Sequence, residues 1–241
     1  MSNAGAPFKR IVVDLHCSGC DRLIVQQAAE FARMLRLELF GRFFADPGPA
    51  RLAALPFARE FRPGERAWAP LEGGNVSREL AFAIAAAERL FQQMSAAAAI
   101  PRRFVLVHDQ DVLERPVDGR EESIAVIHQS GYAGEPFDQM LETAFQTAAS
   151  VLILPGGGGL KAGPILAVAN GPDDVAVRIA AALAHAAGAR LVRLDAQAGT
   201  GAQVPEARLI VIRRGTFGDA TLALIAARRK TPVLVVDMEA A

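Results

Sequence analysis

The chain repeats itself. Residues 8–40, FKRIVVDLHCSGCDRLIVQQAAEFARMLRLELF, and residues 162–194, AGPILAVANGPDDVAVRIAAALAHAAGARLVRL, pass through the same order of patterns: a short apolar run, a polar turn, a helical stretch and a second apolar run. RIVVDLH (Arg10–His16) is β-branched and reads as a buried strand. In the stretch after it, Ile24, Ala28, Phe31, Ala32 and Leu35 recur at helical spacing and share one face. LELFGRFF is the next strand. A strand, a crossover helix and a second strand in one sheet force the two strands to be parallel. The second copy has PILAVANG, then PDDVAVRIAAALAHAAGA with acids in its first turn and Gly near its end, then RLVRLDA. A further match, IAVIHQSG…SVLILP with LIVIRRGT…TPVLVVD, carries the repeat to the end of each half. Repetition of this unit restricts the chain to a parallel α/β architecture built twice.

The first copy is the fuller one. From Pro47 to Val76 the chain is rich in Pro, Gly and Arg and shows no clear periodicity, so it reads as a long connection. Ser77 is the expected N-cap of a long helix whose stripe is Leu80, Ile84, Ala87, Phe91 and Met94. RRFVLVHD is a third strand, and DVLERPVDGREE has room for little more than one helical turn. SIAVIHQS is a fourth strand, Pro136 suits the first position of a helix, and SVLILP is a fifth strand. Four glycines, Gly156–Gly159, mark the boundary. The second copy lacks the middle helix and third strand. It continues with ARLIVIRRG, a helix in FGDATLALIAARRK, and a last strand in PVLVVD. The expected domains are residues 8–156 and an abbreviated residues 162–241.

This order of elements, the strand–turn–helix openings and the VLILP and PVLVV strand endings resemble a tandem universal stress protein, of the adenine-nucleotide α-hydrolase-like superfamily. The resemblance covers almost the whole chain. It implies two Rossmann-like domains, each a parallel sheet with helices on both faces. It also implies that terminal strands of two domains pair, which in one chain makes an internal pseudo-dimer. Nucleotide-binding members of the family share an Asp at the end of the first strand. They also share a G-x-x-G, nine further residues and G-S or G-T opening the last helix. Glycines there let the backbone approach phosphate, and the helix N-terminus offers N–H donors.

At both places this sequence departs from the pattern. His16, followed by Cys17 and Ser18, stands at the Asp position of the first copy, and Asn170, followed by Gly171, at that of the second. GYAG (Gly131, Gly134) supplies a G-x-x-G, but the nine-residue spacing lands on Ala144 and Phe145. The second copy has only GTFGD (Gly215, Gly218, Asp219), whose acid repels phosphate, with Arg213 and Arg214 as candidate anion attractors. Ligands of open α/β sheets bind beyond the carboxyl ends of the strands. The candidate ligand pocket of the first copy is therefore His16, Cys17, Ser18, Ser130, Gly131 and Gly134. That of the second is Asn170, Gly171, Arg213 and Gly215. ATP binding is expected to be weak or absent, with ATP held in one half as the alternative.

HCSGCD (His16–Asp21) raises a second alternative, a zinc- or redox-responsive protein. As a turn, Ser18 and Gly19 make the bend and Asp21 favours the helix N-terminus. As a metal site, Cys17, Cys20, His16 and His128 supply two thiolates and two imidazoles, a set zinc accepts. As a redox pair, C-x-x-C at a helix start lowers a thiol pKa, but the flanks lack other thioredoxin-like sequence. The turn is the expected answer, because the second copy makes the same bend with NGPD and no thiol. No G-x-S-x-G and no H-E-x-x-H occurs, and His108 and His185 read as packed or solvated. Trp68 is expected to anchor the long connection onto the body, and LPFAREF (Leu55–Phe61) to pack.

Composition narrows the function classes. Twenty-six basic and 26 acidic residues give a net charge of zero, against a nucleic-acid binder. No apolar run approaches the roughly 20 residues that span a bilayer. Two cysteines make no disulfide framework, and the N-terminal MSNAGAPFKR lacks the apolar core of a signal peptide, so a cytoplasmic setting is expected. The expected function is that of a non-enzymatic stress-response or regulatory protein without cofactor, acting on a small ligand or a protein partner. The expected assembly is a monomer or homodimer of internal pseudo-dimers.

Overall fold

The computed structural model describes residues 7–16, 22–108, 119–128, 136–156, 161–196, 206–218, 225 and 230–237. Its elements, in chain order, are β1 (Arg10–His16), α1 (Arg22–Leu35), β2 (Glu38–Ala45), α2 (Gly48–Ala53), β3 (Arg59–Arg62), β4 (Ala67–Pro70), α3 (Gly73–Ala97), β5 (Arg102–His108), β6 (Ser123–His128), α4 (Phe137–Thr147), β7 (Ser150–Leu154), β8 (Ile165–Ala169), α5 (Val175–Ala186), β9 (Leu191–Asp195), β10 (Leu209–Arg213) and β11 (Val233–Val236). A one-turn 3-10 helix, Arg120–Glu122, leads into β6.

Nine strands form one sheet in the order β5-β2-β1-β6-β7-β11-β10-β8-β9. Every neighbouring pair is parallel except β7 and β11. Outward from that antiparallel joint, β7-β6-β1-β2 and β11-β10-β8-β9 follow the same order, and β5 adds a further strand on one side. SVLILP and PVLVVD thus pair with each other, Val233 opposite Ile153 and Val236 opposite Ser150. Both strands are buried at every position, so their apolar edges are consumed by the joint rather than left open to aggregation. Asp237 N–H continues the ladder by donating to Ala149 C=O at 2.9 Å.

The sheet separates two cores. On one face α1, α3 and α5 cover Ile11, Val13, Leu15, Leu39 and Phe43, then Leu152 and Leu154 across the joint from Leu234 and Val236. On the other, α4 packs Met140, Leu141 and Phe145 over Ala125, Ile127, Val151, Ile153, Ile210, Ile212 and Val235. Both cores run through the joint without interruption. The stripes expected for α1 and α3 face the first core, with Phe31 and Phe91 fully buried. Gly41, in the middle of β2, makes room for α3: a Cβ there would lie 2.7 Å from the Phe91 ring. Phe91 in turn packs against Phe104 of β5, with centroids 5.7 Å apart.

Two expectations are corrected. The long helix begins at Gly73 behind Glu72, not at Ser77. The N–H groups of Asn75 and Val76 already donate to Glu72 C=O, so the turn extends back through the glycine pair despite its low helix propensity. The connection from Pro47 to Val76 contains α2 and an antiparallel hairpin, β3–β4, with Phe61 opposite Trp68. Neither Trp68 nor LPFAREF packs onto the body: Phe57, Phe61 and Trp68 are exposed. Three-dimensionally the hairpin has its own two-stranded sheet and is not part of the nine-stranded one.

Candidate functional site at the carboxyl edge of the sheet

The parallel register of β1 and β2 brings Asp14 beside Arg42 and His16 beside Phe44. Strand alternation puts these four on the face opposite Leu15 and Phe43. The Arg42 guanidinium grips Asp14 in a two-toothed ion pair, Nε to Oδ1 at 2.8 Å and Nη2 to Oδ2 at 2.7 Å. Nη2 also donates to Thr147 Oγ1, at the end of α4, at 3.3 Å. The same guanidinium lies 5.2 Å from the Phe44 centroid, and the His16 imidazole stacks on Phe44 at 5.3 Å and 17°. Arg42 is largely buried, and a planar fork matched to a carboxylate is the arrangement that compensates its desolvation. The first-strand terminus is thus occupied by a stack of imidazole, phenyl ring and guanidinium. Sequence reasoning found His16 but missed Arg42, Phe44 and Asp14; only the cross-strand register reveals them.

His128 also ends at this edge, on β6. Val13 pairs with Val126, and His128 pairs with Leu154, so His128 belongs to the face of Leu154 while His16 belongs to the face of Phe44. The two imidazoles leave neighbouring strands toward opposite faces. Cys17, Ser18, Cys20, Ser130, Gly131 and Gly134 lie outside the described residues. Among the described residues, no three His, Cys, Asp or Glu side chains gather as a metal set. His185 is exposed on α5, as a solvated histidine should be.

On the other side of the joint, the chain's own groups bind the end of β8. Asp174 is the N-cap of α5 and its Oδ1 accepts from Ala176 N–H at 2.9 Å. Its Oδ2 accepts from Asn170 N–H at 3.3 Å. One carboxylate therefore ties the strand end to the helix start, satisfying two donors that a bound anion would otherwise need. Gly171 follows, with open space around its Cβ position. Beyond β10 the chain turns at once: Thr216 N–H donates to Arg213 C=O, and Gly215 holds φ at +81°, a conformation that favours glycine. Phe217 then folds back onto the core of the α4 face.

Of the two arginines before that turn, Arg213 is exposed. Arg214 is committed elsewhere. Its Nη1 donates to Asp237 Oδ2 at 2.5 Å and its Nη2 to Glu142 Oε1 at 2.6 Å. Its guanidinium carbon stands 4.3 Å from the Phe145 centroid. Asp237 first and Glu142 second raise its pKa above the ordinary arginine range through their hydrogen bonds. The expectation that Arg214 attracts an anion is corrected: two carboxylates already neutralise it, and its role is to hold α4 against the end of β11.

No family model matches the chain, and no curated protein matches it. Solved structures do. A universal stress protein from Archaeoglobus fulgidus DSM 4304 has a TM-score of 0.50 over 93% of this chain and 95% of that one, at 12% identity. The chain has the fold of a universal stress protein. A functionally unknown protein from Pseudomonas aeruginosa PAO1 has a TM-score of 0.51 over 98% of this chain and 94% of that one, at 14% identity. Both likenesses run nearly the whole length of each chain, so they concern the architecture around the joint and not one isolated strand–helix unit. Among the described residues, no helix is long and apolar enough to cross a membrane.

Proposed function

We propose that the chain is a tandem universal stress protein, residues 8–156 and an abbreviated 162–241, whose nucleotide sites have been given over to structure. It acts as a regulatory stress-response protein through a protein partner or a small ligand, not by turning over a nucleotide. The tandem reading is supported by the single antiparallel joint between β7 and β11, with the same strand order running outward on both sides.

The observation that supports a loss of nucleotide binding is the Asp174 carboxylate at the second edge. The N–H groups of Asn170 and Ala176 are satisfied by Asp174, and Arg214 is neutralised by Glu142 and Asp237. A ligand arriving at the Asn170 strand end would meet a capping carboxylate, and the turn to which the resemblance assigns phosphate, from Gly215 onward, is described only as far as residue 218. At the first edge, His16 stands where the family resemblance calls for an Asp, stacked on Phe44. Native mass spectrometry of the protein as purified tests this reading. It should show the bare polypeptide mass. A stoichiometric adenine nucleotide would revive binding in one half, and a stoichiometric metal would revive the HCSGCD alternative.

A further inference from the structure

β5 ends the nine-stranded sheet on the side of the first half. Leu39 N–H donates to Pro101 C=O at 2.9 Å, and Leu39 stands opposite Arg102. Backbone groups alternate sides along a parallel strand, so Pro101, Arg103, Val105 and Val107 turn theirs to β2. Arg102, Phe104 and Leu106 turn their N–H and C=O groups outward, where no strand pairs with them among the described residues. None of residues 102–107 is buried, and Leu106 is 39% exposed, whereas β6 and β7 are buried at nearly every position. Native sheets blunt such an edge by shortening, bulging or covering it. β5 instead runs for 7 residues in unbroken register with β2 and carries no proline. Its one guard is charge, and charge selects among partners rather than refusing all of them.

The charge at this edge has one sign. β5 carries Arg102 and Arg103 and no acid. Arg33 and Arg36, in the last turn of α1 and just beyond it, lie at the same end of the sheet, because the strand that follows them is bonded to Pro101. All four arginines are exposed, and among the described residues none of them has an ion pair. Arg103 rests only on Phe40, its guanidinium carbon 5.7 Å from the ring centroid. The acids beside them are Glu38, half-buried on β2, and Glu122, which Lys9 holds at 2.6 Å. Edge and charge together specify the occupant. A row of outward N–H and C=O groups matches the backbone of an extended peptide, whereas a phosphate polymer or an anionic lipid would use only the donors. Unpaired guanidinium groups at one end of the row call for carboxylates. A second copy of β5 would bring arginines and no acid. We propose that the outer edge of β5 is the docking site for an extended acidic segment of a partner protein, which adds a strand to the sheet and sets its carboxylates on Arg102 and Arg103. This gives the proposed protein-partner role a surface, and its failure would leave the loss of nucleotide binding standing.

Fluorescence anisotropy of the full chain tests this, with circular dichroism to confirm that each variant is folded. The probe is a labelled synthetic peptide of about eight residues, alternating valine and threonine, with glutamates at one end. It is made with the glutamates at the amino end and again at the carboxyl end, so that the better binder reads the strand direction. At least one form should bind saturably at or below about 100 μM. Arg102→Glu combined with Arg103→Glu should weaken that binding by about tenfold or more. Methylating the peptide's backbone nitrogens should abolish it, since the donors that meet the edge are then gone. The methylated peptide is the stringent arm, because attraction by charge alone would survive it. No binding of either peptide overturns the proposal. So does binding that tolerates methylation or the double charge reversal. So, too, does arginine-dependent binding of an oligonucleotide or of anionic vesicles by a chain that ignores both peptides.

Discussion

Arg214 Nη2 donates to Glu142 Oε1 at 2.6 Å, joining residues 72 positions apart on opposite sides of the β7–β11 joint. The bond lies beside the Phe145 ring and shares its arginine with Asp237. One cation thus fastens α4 to the end of β11, in the interior of the sheet.

Arg214→Ala should lower stability by about 1–2 kcal/mol, combining lost ring contact with two ion pairs discounted for their partial exposure. Glu142→Gln should cost less, because Asp237 remains. The pH dependence follows from the raised pKa of Arg214. A base held above its unfolded value contributes stability that is present below the unfolded pKa and lost as pH rises through the folded one. The arginine's contribution should therefore persist unchanged from neutral to mildly alkaline pH and disappear only in strong alkali. Thermal melts of wild type and Arg214→Ala across that range measure it.

Gly41→Ala should destabilise by about 1–3 kcal/mol, through overpacking against a ring that is buried on all sides. The added Cβ would stand 2.7 Å from Phe91. Trimming the ring with Phe91→Leu should make the second substitution less costly than on the wild-type background. A double-mutant cycle by urea denaturation reads the coupling. Strict additivity would mean that the helix and strand are not in contact there.

Asp174→Ala should cost about 1 kcal/mol as a lost N-cap, and Asp174→Ser should recover most of it. Hydrogen exchange should locate the change at Asn170 and Ala176, whose N–H groups lose their acceptor.

Much of this fold could be read directly. The β1 bounds, the buried faces of α1 and α3, and the parallel pairing of β1 with β2 follow from local periodicity and the handedness of a crossover. The β3–β4 hairpin could not, because its apolar residues face outward and its strands are short, so alternation gave no core-facing signal. Individual site residues were visible in part. His16, Asn170, Arg213 and Gly215 could be placed at strand ends from chain order alone. That Arg214 is engaged by Glu142 and Asp237, or that Arg42 grips Asp14, depends on contacts between distant segments that no local pattern encodes. The opposite orientations of His16 and His128 depend on register, where one residue's slip would exchange the faces.

For HCSGCD, the turn reading predicts that Cys17→Ser with Cys20→Ser leaves metal content unchanged and costs on the order of 1 kcal/mol per thiol. Elemental analysis and melts with and without chelator check this. Stoichiometric zinc in wild type, lost in the double variant together with several kcal/mol, would make the stretch a structural metal site.

The claim that both sheet edges have been turned from nucleotide binding to structure is tested most directly by calorimetric titration of the full chain with ATP and magnesium. The account predicts no saturable heat in the micromolar range, for wild type and for Arg214→Ala alike. Stoichiometric binding at low micromolar ATP would contradict it.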